Sequence, residues 1–133
     1  MKAISYLLVT GGIIGLTWLA LNRGNLDDSR GGNVSTAGYI VRQAMVRPFE
    51  SFRNDVGRYP TADEGLAALL FCPASLTKSW KGPYIDAEKL PLDPWRREYR
   101  YRSPGIRSHC GYDLWSLGAD GVESADDIGN WEK

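Results

Sequence analysis

The sequence predicts an α+β fold, and three observations predict it. Val41, Met45, Phe49, Phe52 and Val56 recur at spacings of 4, 4, 3 and 4, which lines one face of a helix. "REYRYR" (Arg97–Arg102) alternates Tyr99 and Tyr101 against charged residues, the pattern of a half-buried strand. "SPGIRSHCG" then turns the chain, and "YDLWSLG" (Tyr112–Gly118) returns as an antiparallel partner. Helices first and a small antiparallel sheet after them is the α+β order.

The elements follow in chain order. Between Lys2 and Arg23 there is no charge, and residues 3–21 are apolar or weakly polar throughout. About 20 such residues, at a rise of about 1.5 Å each, span a hydrocarbon core, so residues 1–22 are expected to form a transmembrane anchor. A cleaved signal peptide is the other reading. Its apolar region is shorter, and "LALNRG" offers Asn22 where a small residue should precede the cut. Lys2 beside the amino terminus favours a cytoplasmic start. That makes the expected localisation the inner membrane, single-pass, with the C-terminal domain in the periplasm.

Residues 23–37 are polar and glycine-rich, without periodicity, and read as a linker or a helix extension. The domain proper is expected over 38–133. Pro48 lies inside the apolar run and lacks a backbone donor, so the helix either kinks or starts there. "GRYP" (Gly57–Pro60) ends it. "TADEGLAALL" predicts a short second helix: Thr61 and Glu64 are spaced as a capping box, and Leu66, Leu69 and Leu70 supply its apolar face. Lys81–Trp95 holds three prolines and must be irregular. "IGNW" (Ile128–Trp131) predicts a last short strand.

Composition excludes some functions. Sixteen basic residues balance sixteen acidic ones, so no basic field points to nucleic acid. About 100 residues beyond the anchor leave little wall for a substrate pocket, and no pair of carboxylates on separate elements suggests acid/base work. Neither an enzyme nor a small-molecule substrate is expected. Beyond a membrane anchor, the pair Cys72 and Cys110 reads most simply as one disulfide, with two buried free thiols as the other reading. His109 adjoins Cys110, but neighbours on an extended chain point apart and no orienting group is evident for a nucleophile.

The end of the chain carries the chemistry. Asp120, Glu123, Asp126 and Asp127 fall within eight residues, followed by Ile128 and Trp131. Calcium takes about six to eight oxygens from carboxylates and backbone carbonyls in a flexible loop, and glycines at 118 and 121 let carbonyls fold inward. The register of an EF-hand is absent. A calcium loop and a solvated acidic turn both remain open on the residues alone.

Four blocks stand in order: "FRNDVGRYPTADEGLAALL", "WKGPYI", "LPLDPWRREYRYRSPG" and "YDLWSLGADG…ADDIGNW". Together they resemble the major pseudopilin (G protein) family of type II secretion systems, over roughly residues 45–131. The resemblance implies a pilin-like fold with a helix against a small antiparallel sheet. It implies a calcium ion (Ca2+) held by the side chains of Asp120, Asp126 and Asp127 and by carbonyls near Leu117 and Val122. It also implies a homopolymer, the periplasmic pseudopilus, working with other secretion-system components at the inner membrane. At the start the sequence departs from the family: "MKAISYLLVTGGIIGLTW" holds no Gly-Phe pair and no acid, where the family carries a processing motif. The expected function is a structural pseudopilin subunit; the alternative is a membrane-tethered calcium-binding module that does not polymerise.

Overall fold

The computed structural model describes residues 29–132. The predicted anchor and the first residues of the predicted linker lie outside them. No helix among the described residues is long and apolar enough to cross a membrane.

A helical run opens the described chain. Helix α1 (Ser29–Tyr39) passes into a π-helical turn (Ile40–Ala44) and then into α2 (Val46–Val56). Residues 29–37 are therefore helix extension rather than loose linker. The π-turn has a local reason. In a regular helix a proline ring strikes the carbonyl four residues back. Here Met45 N–H reaches five residues back to the Ile40 carbonyl at 3.0 Å, which resets the register ahead of Pro48. Pro48 then falls in the first turn of α2, so α2 starts just ahead of it. Gly57 closes α2, donating to the Arg53 carbonyl at 2.7 Å from a left-handed conformation.

One face of this run is buried. Ala37, Val41, Met45, Phe49 and Phe52 all enter the core. Opposite them stand Tyr99, Tyr112, Leu114 and Ile128 from the sheet side. Phe49 is the centre of the contact, with its ring 4.1 Å from that of Tyr112 and 5.4 Å from that of Tyr101. Burying each such phenylalanine contributes roughly 1.5 to 3 kcal/mol, enough to hold a glycine-containing helix onto the sheet.

The second helix predicted over Thr61–Leu70 does not form as an α-helix. Its capping box is made: Thr61 N–H donates to Glu64 Oε2 at 2.9 Å, and Glu64 N–H to Thr61 Oγ1 at 3.2 Å. Gly65 follows with φ of +58°, leaving helical space, and only a 3-10 segment, Leu66–Leu69, comes after it. That segment is held from outside. Trp80 Nε1–H donates to the Ala68 carbonyl, and Tyr84 N–H to the Leu69 carbonyl, both at 2.7 Å. Tyr84 hydroxyl also reaches Asp55 at the end of α2, at 2.9 Å. A second 3-10 segment spans Ala74–Leu76.

The sheet has three antiparallel strands in the order β1 (Arg100–Arg102), β2 (Asp113–Ser116), β3 (Ile128–Gly129). All three are shorter than the sequence pattern predicts. Tyr101 pairs with Leu114 and faces the helix; Arg100 pairs with Trp115 and Arg102 with Asp113. Since neighbouring residues alternate faces, Arg100, Arg102, Asp113 and Trp115 share the face away from the helix.

Candidate metal loop and its supports

The loop between β2 and β3 is positioned by the Asp-Pro-Trp block. Asp93 is buried, and its Oδ1 accepts the amides of Trp95 at 3.0 Å and Arg97 at 2.8 Å. Its Oδ2 accepts the Ser116 hydroxyl at 2.7 Å, and Ser116 Oγ in turn accepts Gly118 N–H at 3.1 Å. One aspartate thus fixes both its own turn and the point where the loop leaves β2. The guanidinium of Arg97 donates to the carbonyls of Gly118 at 2.6 Å and Ala119 at 3.3 Å.

Four of the five predicted site residues, Asp120, Val122, Asp126 and Asp127, gather about Ser124, a residue the sequence reading passed over. Its hydroxyl lies 3.4 Å from Asp120 Oδ2, 3.2 Å from the Val122 carbonyl, and against Asp126 Oδ1. Its amide donates to Asp127 Oδ1 at 3.3 Å, and Asp120 Oδ1 accepts Val122 N–H at 3.0 Å. Among the described residues no three His, Cys, Asp or Glu side chains are gathered directly about one point for a metal ion. The hub is the hydroxyl. A hydroxyl has one proton, so only one of its three neighbouring acceptors receives a hydrogen bond.

Asp127 differs from its neighbours in being buried, at 1% exposure, while Asp120 and Asp126 are exposed. Its Oδ2 has no hydrogen-bond partner. Burial first, then the charges of Glu123 and Asp126, push its carboxyl above the ordinary aspartate value. Leu117 is buried at the start of the loop and Val122 is exposed at its tip. Glu123 points elsewhere: it is exposed and pairs with Arg102 at 3.8 Å.

Behind the loop, the outer face of the sheet carries an aromatic and guanidinium layer. Trp115 and Trp131 lie 5.9 Å apart between ring centres. Arg102 sits 5.2 Å from the Trp115 ring and Arg107 3.7 Å from that of Trp131. Trp131 folds back over β3 so closely that a Cβ at Gly129 would lie 2.4 Å from its indole. Trp131 and Ile128 therefore close the fold together, with Ile128 buried in the core and Trp131 half-buried on the outer face.

Cys72 and Cys110 are both free and exposed, so the disulfide expected between them is not formed in this structure. Cys110 Sγ is engaged locally instead. It accepts the Asn130 side-chain amide at 3.2 Å and lies 3.3 Å from Ser108 Oγ. Cys72 follows the Leu66–Leu69 segment and is directed to the Pro73 carbonyl at 3.5 Å.

Comparison with known proteins gives one consistent answer. The family described as "Type II secretion system (T2SS), protein G" matches residues 26–131. The type II secretion system core protein G of Klebsiella pneumoniae is 42% identical over 92 residues, covering 66% of this chain and 63% of that protein. The protein of the same name from Escherichia coli K12 is 37% identical, covering 66% and 61%. The chain thus spans a little under two thirds of the length of these relatives. The fold matches the crystal structure of the major pseudopilin from the type 2 secretion system of enterohaemorrhagic Escherichia coli. The TM-score is 0.68 at 32% identity, over 80% of this chain and 88% of that one. With a family match that takes in both the helical run and the closing loop, the chain belongs to the type II secretion system protein G family.

Proposed function

We propose that this chain is a structural subunit of a type II secretion apparatus that assembles with copies of itself into a periplasmic pseudopilus and catalyses no reaction. The observation that carries this reading is the likeness in fold to a major pseudopilin, together with the family match over residues 26–131. The helical run adds to it. Val34, Tyr39 and Val46 expose apolar surface along that run, of the kind a neighbouring subunit covers. Residues 1–22 serve in this reading as the inner-membrane anchor, and the other partners are the remaining secretion components. Shearing cells that overexpress the protein, then crosslinking and imaging the released material, tests it. Fibres containing the protein are expected. Monomer alone overturns polymerisation and leaves the membrane-tethered calcium-binding module.

The closing loop, in the same reading, takes calcium. The residues present fit the ion on two counts: the buried Asp127 oxygen without a partner, and the single Ser124 hydroxyl set among three acceptors. Asp120, Asp126 and Asp127 would hold the ion, with the carbonyls of Leu117 and Val122. Bound calcium supplies positive charge that offsets the repulsion among these carboxylates and lets Ile128 and Trp131 stay seated. At about 100 times its dissociation constant the ion should add roughly 2.7 kcal/mol of stability. A thermal melt of the full chain in detergent, with chelator and with millimolar calcium, measures it. Coincident curves would reduce the loop to a solvated turn.

A further inference from the structure

We propose that Arg97 is a built-in cation that holds the first half of the closing loop in its ion-ready form before any metal arrives. The proposal extends the calcium reading to a residue that reading does not include. Four observations meet at this side chain. Its guanidinium donates to two consecutive loop carbonyls, Gly118 at 2.6 Å and Ala119 at 3.3 Å. Those are the two carbonyls between Leu117 and Asp120, so Arg97 uses neither of the carbonyls assigned to the metal. Gly121 lies against the same group: a Cβ there would fall 2.6 Å from the guanidinium carbon, so a side chain at 121 would push the guanidinium from this place. Finally, the backbone of Arg97 is fixed at both ends by Asp93. The Asp93 carboxylate accepts Arg97 N–H at 2.8 Å, and Asp93 N–H donates to the Arg97 carbonyl at 2.8 Å.

These contacts form a closed circuit. Asp93 holds Arg97, Arg97 holds Gly118 and Ala119, and Asp93 also holds Ser116, which holds Gly118 N–H. The turn after Asp93 and the exit of β2 are therefore one rigid frame, and the loop is hung on it by a planar fork of donors. An arginine can serve two carbonyls at once in fixed geometry; the compact ammonium of a lysine acts as a point charge instead. The second half of the loop has only a longer tie from outside, the pairing of exposed Glu123 with Arg102 at 3.8 Å. Residues 122–126 are tied to one another by Asp120 and Ser124, and Asp127 keeps an unpartnered oxygen. The division of labour follows: Arg97 orders residues 118–121, Asp120 among them, and the ion is needed only to draw Asp126 and Asp127 to it. Apparent affinity falls in proportion to the fraction of protein whose site is formed, so a loop kept nine-tenths open by loss of Arg97 binds about tenfold more weakly.

Hydrogen exchange on the full chain in detergent tests this, for wild type, Arg97→Gln and Arg97→Lys, in chelator and in millimolar calcium. In chelator, the amides of residues 118–122 should exchange at least tenfold faster in Arg97→Gln than in wild type, while those of α2 are unchanged. Calcium should restore them, with an affinity about tenfold weaker than that of wild type. Equal exchange of wild type and Arg97→Gln in chelator would overturn the proposal. Arg97→Lys matching wild type would overturn the fork and leave a bare charge. Should calcium alter neither protein, the calcium reading falls, while the comparison in chelator still decides the role of Arg97.

Discussion

Two buried aspartates sit on either side of the last turn of this fold, and the chain treats them differently. Asp113, wholly buried on β2, receives the amides of Ile106 at 2.9 Å, Ser108 at 2.8 Å and Arg107 at 3.1 Å. Asp127, equally buried at the entry to β3, receives one amide, from Ser124, and leaves an oxygen without a partner. Burial works against the charge on both. At Asp113 the amides outweigh it and hold the carboxyl below the ordinary aspartate value. At Asp127 nothing outweighs it, and Glu123 and Asp126 add to the upward push. A buried carboxylate satisfied by its own backbone is a structural post. One left short of partners, in a loop with three further acids, is an open acceptor of the kind the proposed ion would fill.

Breaking the better-satisfied one should have the largest effect. Asp113→Ala leaves three amides without their charged acceptor. Such bonds contribute about 1.5 to 3 kcal/mol each, but Ile106 lies on an exposed loop where water can substitute in part. The expected loss is about 3 kcal/mol by urea denaturation, the same in chelator and in calcium. Asp127→Asn should change sign with the metal. In chelator it removes a buried charge short of partners, and stability should hold or rise by up to about 1 kcal/mol. In calcium it should forfeit most of the roughly 2.7 kcal/mol gain expected from the ion. If both variants respond alike in the two conditions, the contrast between them is lost.

The pH dependence separates the two groups again, with opposite signs. Asp113 has a depressed folded value, so its contribution is present above the ordinary aspartate value and is lost as pH falls through the folded one. Asp127 without metal has a raised folded value, so it favours the fold at low pH and costs stability as pH rises through that value. Glu64 provides a paired reference. Its bidentate contact with Arg58, at 2.7 and 2.8 Å, and the Thr61 amide bring its carboxyl down to about 2. Its stabilisation should be complete above the ordinary glutamate value and be lost progressively as pH falls from there through about 2. Because Arg58 is 42% exposed, Glu64→Gln should cost only about 1 kcal/mol. Denaturation in chelator between about pH 3 and 7 should show the Asp127→Asn curve above wild type at the neutral end.

Much of this was legible in the sequence, and the losses have physical causes. Periodicity found the helical face because Val41, Met45, Phe49 and Phe52 are all buried on it. The Thr61–Glu64 box was found but its helix was not, because Gly65 adopts a positive φ and the leucines after it are held by Trp80 and Tyr84 instead. The acids of the loop were visible as a cluster. Their hub, Ser124, was hidden because an isolated serine carries no signal without its neighbours' geometry. Asp113 was hidden by its place in a strand, where an acid reads as the solvent side of an alternating pattern; its amides come from a turn that only folding brings over it. Arg97 was read as the first residue of a strand that in fact begins at Arg100. The Asp93 turn holds Arg97 out of that strand and aims it at the loop.

The smallest expected effect belongs to Arg107, which acts on the two aspartates in different ways. Its amide is one of the three on Asp113, while its guanidinium covers the Trp131 ring at 3.7 Å and its charge lowers Asp127. Arg107→Ala keeps the amide and removes the rest. If Asp113 is held by backbone, that loop should survive, and the cost should be only the cation–π contact, about 0.5 to 1 kcal/mol at a half-exposed site. Asp127 should respond more clearly than stability does: with its nearby positive charge gone, its carboxyl should titrate higher still in chelator, measured by NMR of the side-chain carbon. Calcium should suppress that difference by holding the carboxylate ionised. An Arg107→Ala variant as unstable as Asp113→Ala would mean that the side chain, not the amide, secures the turn over Asp113. The two aspartates would then differ in degree only, each dependent on a neighbouring cation.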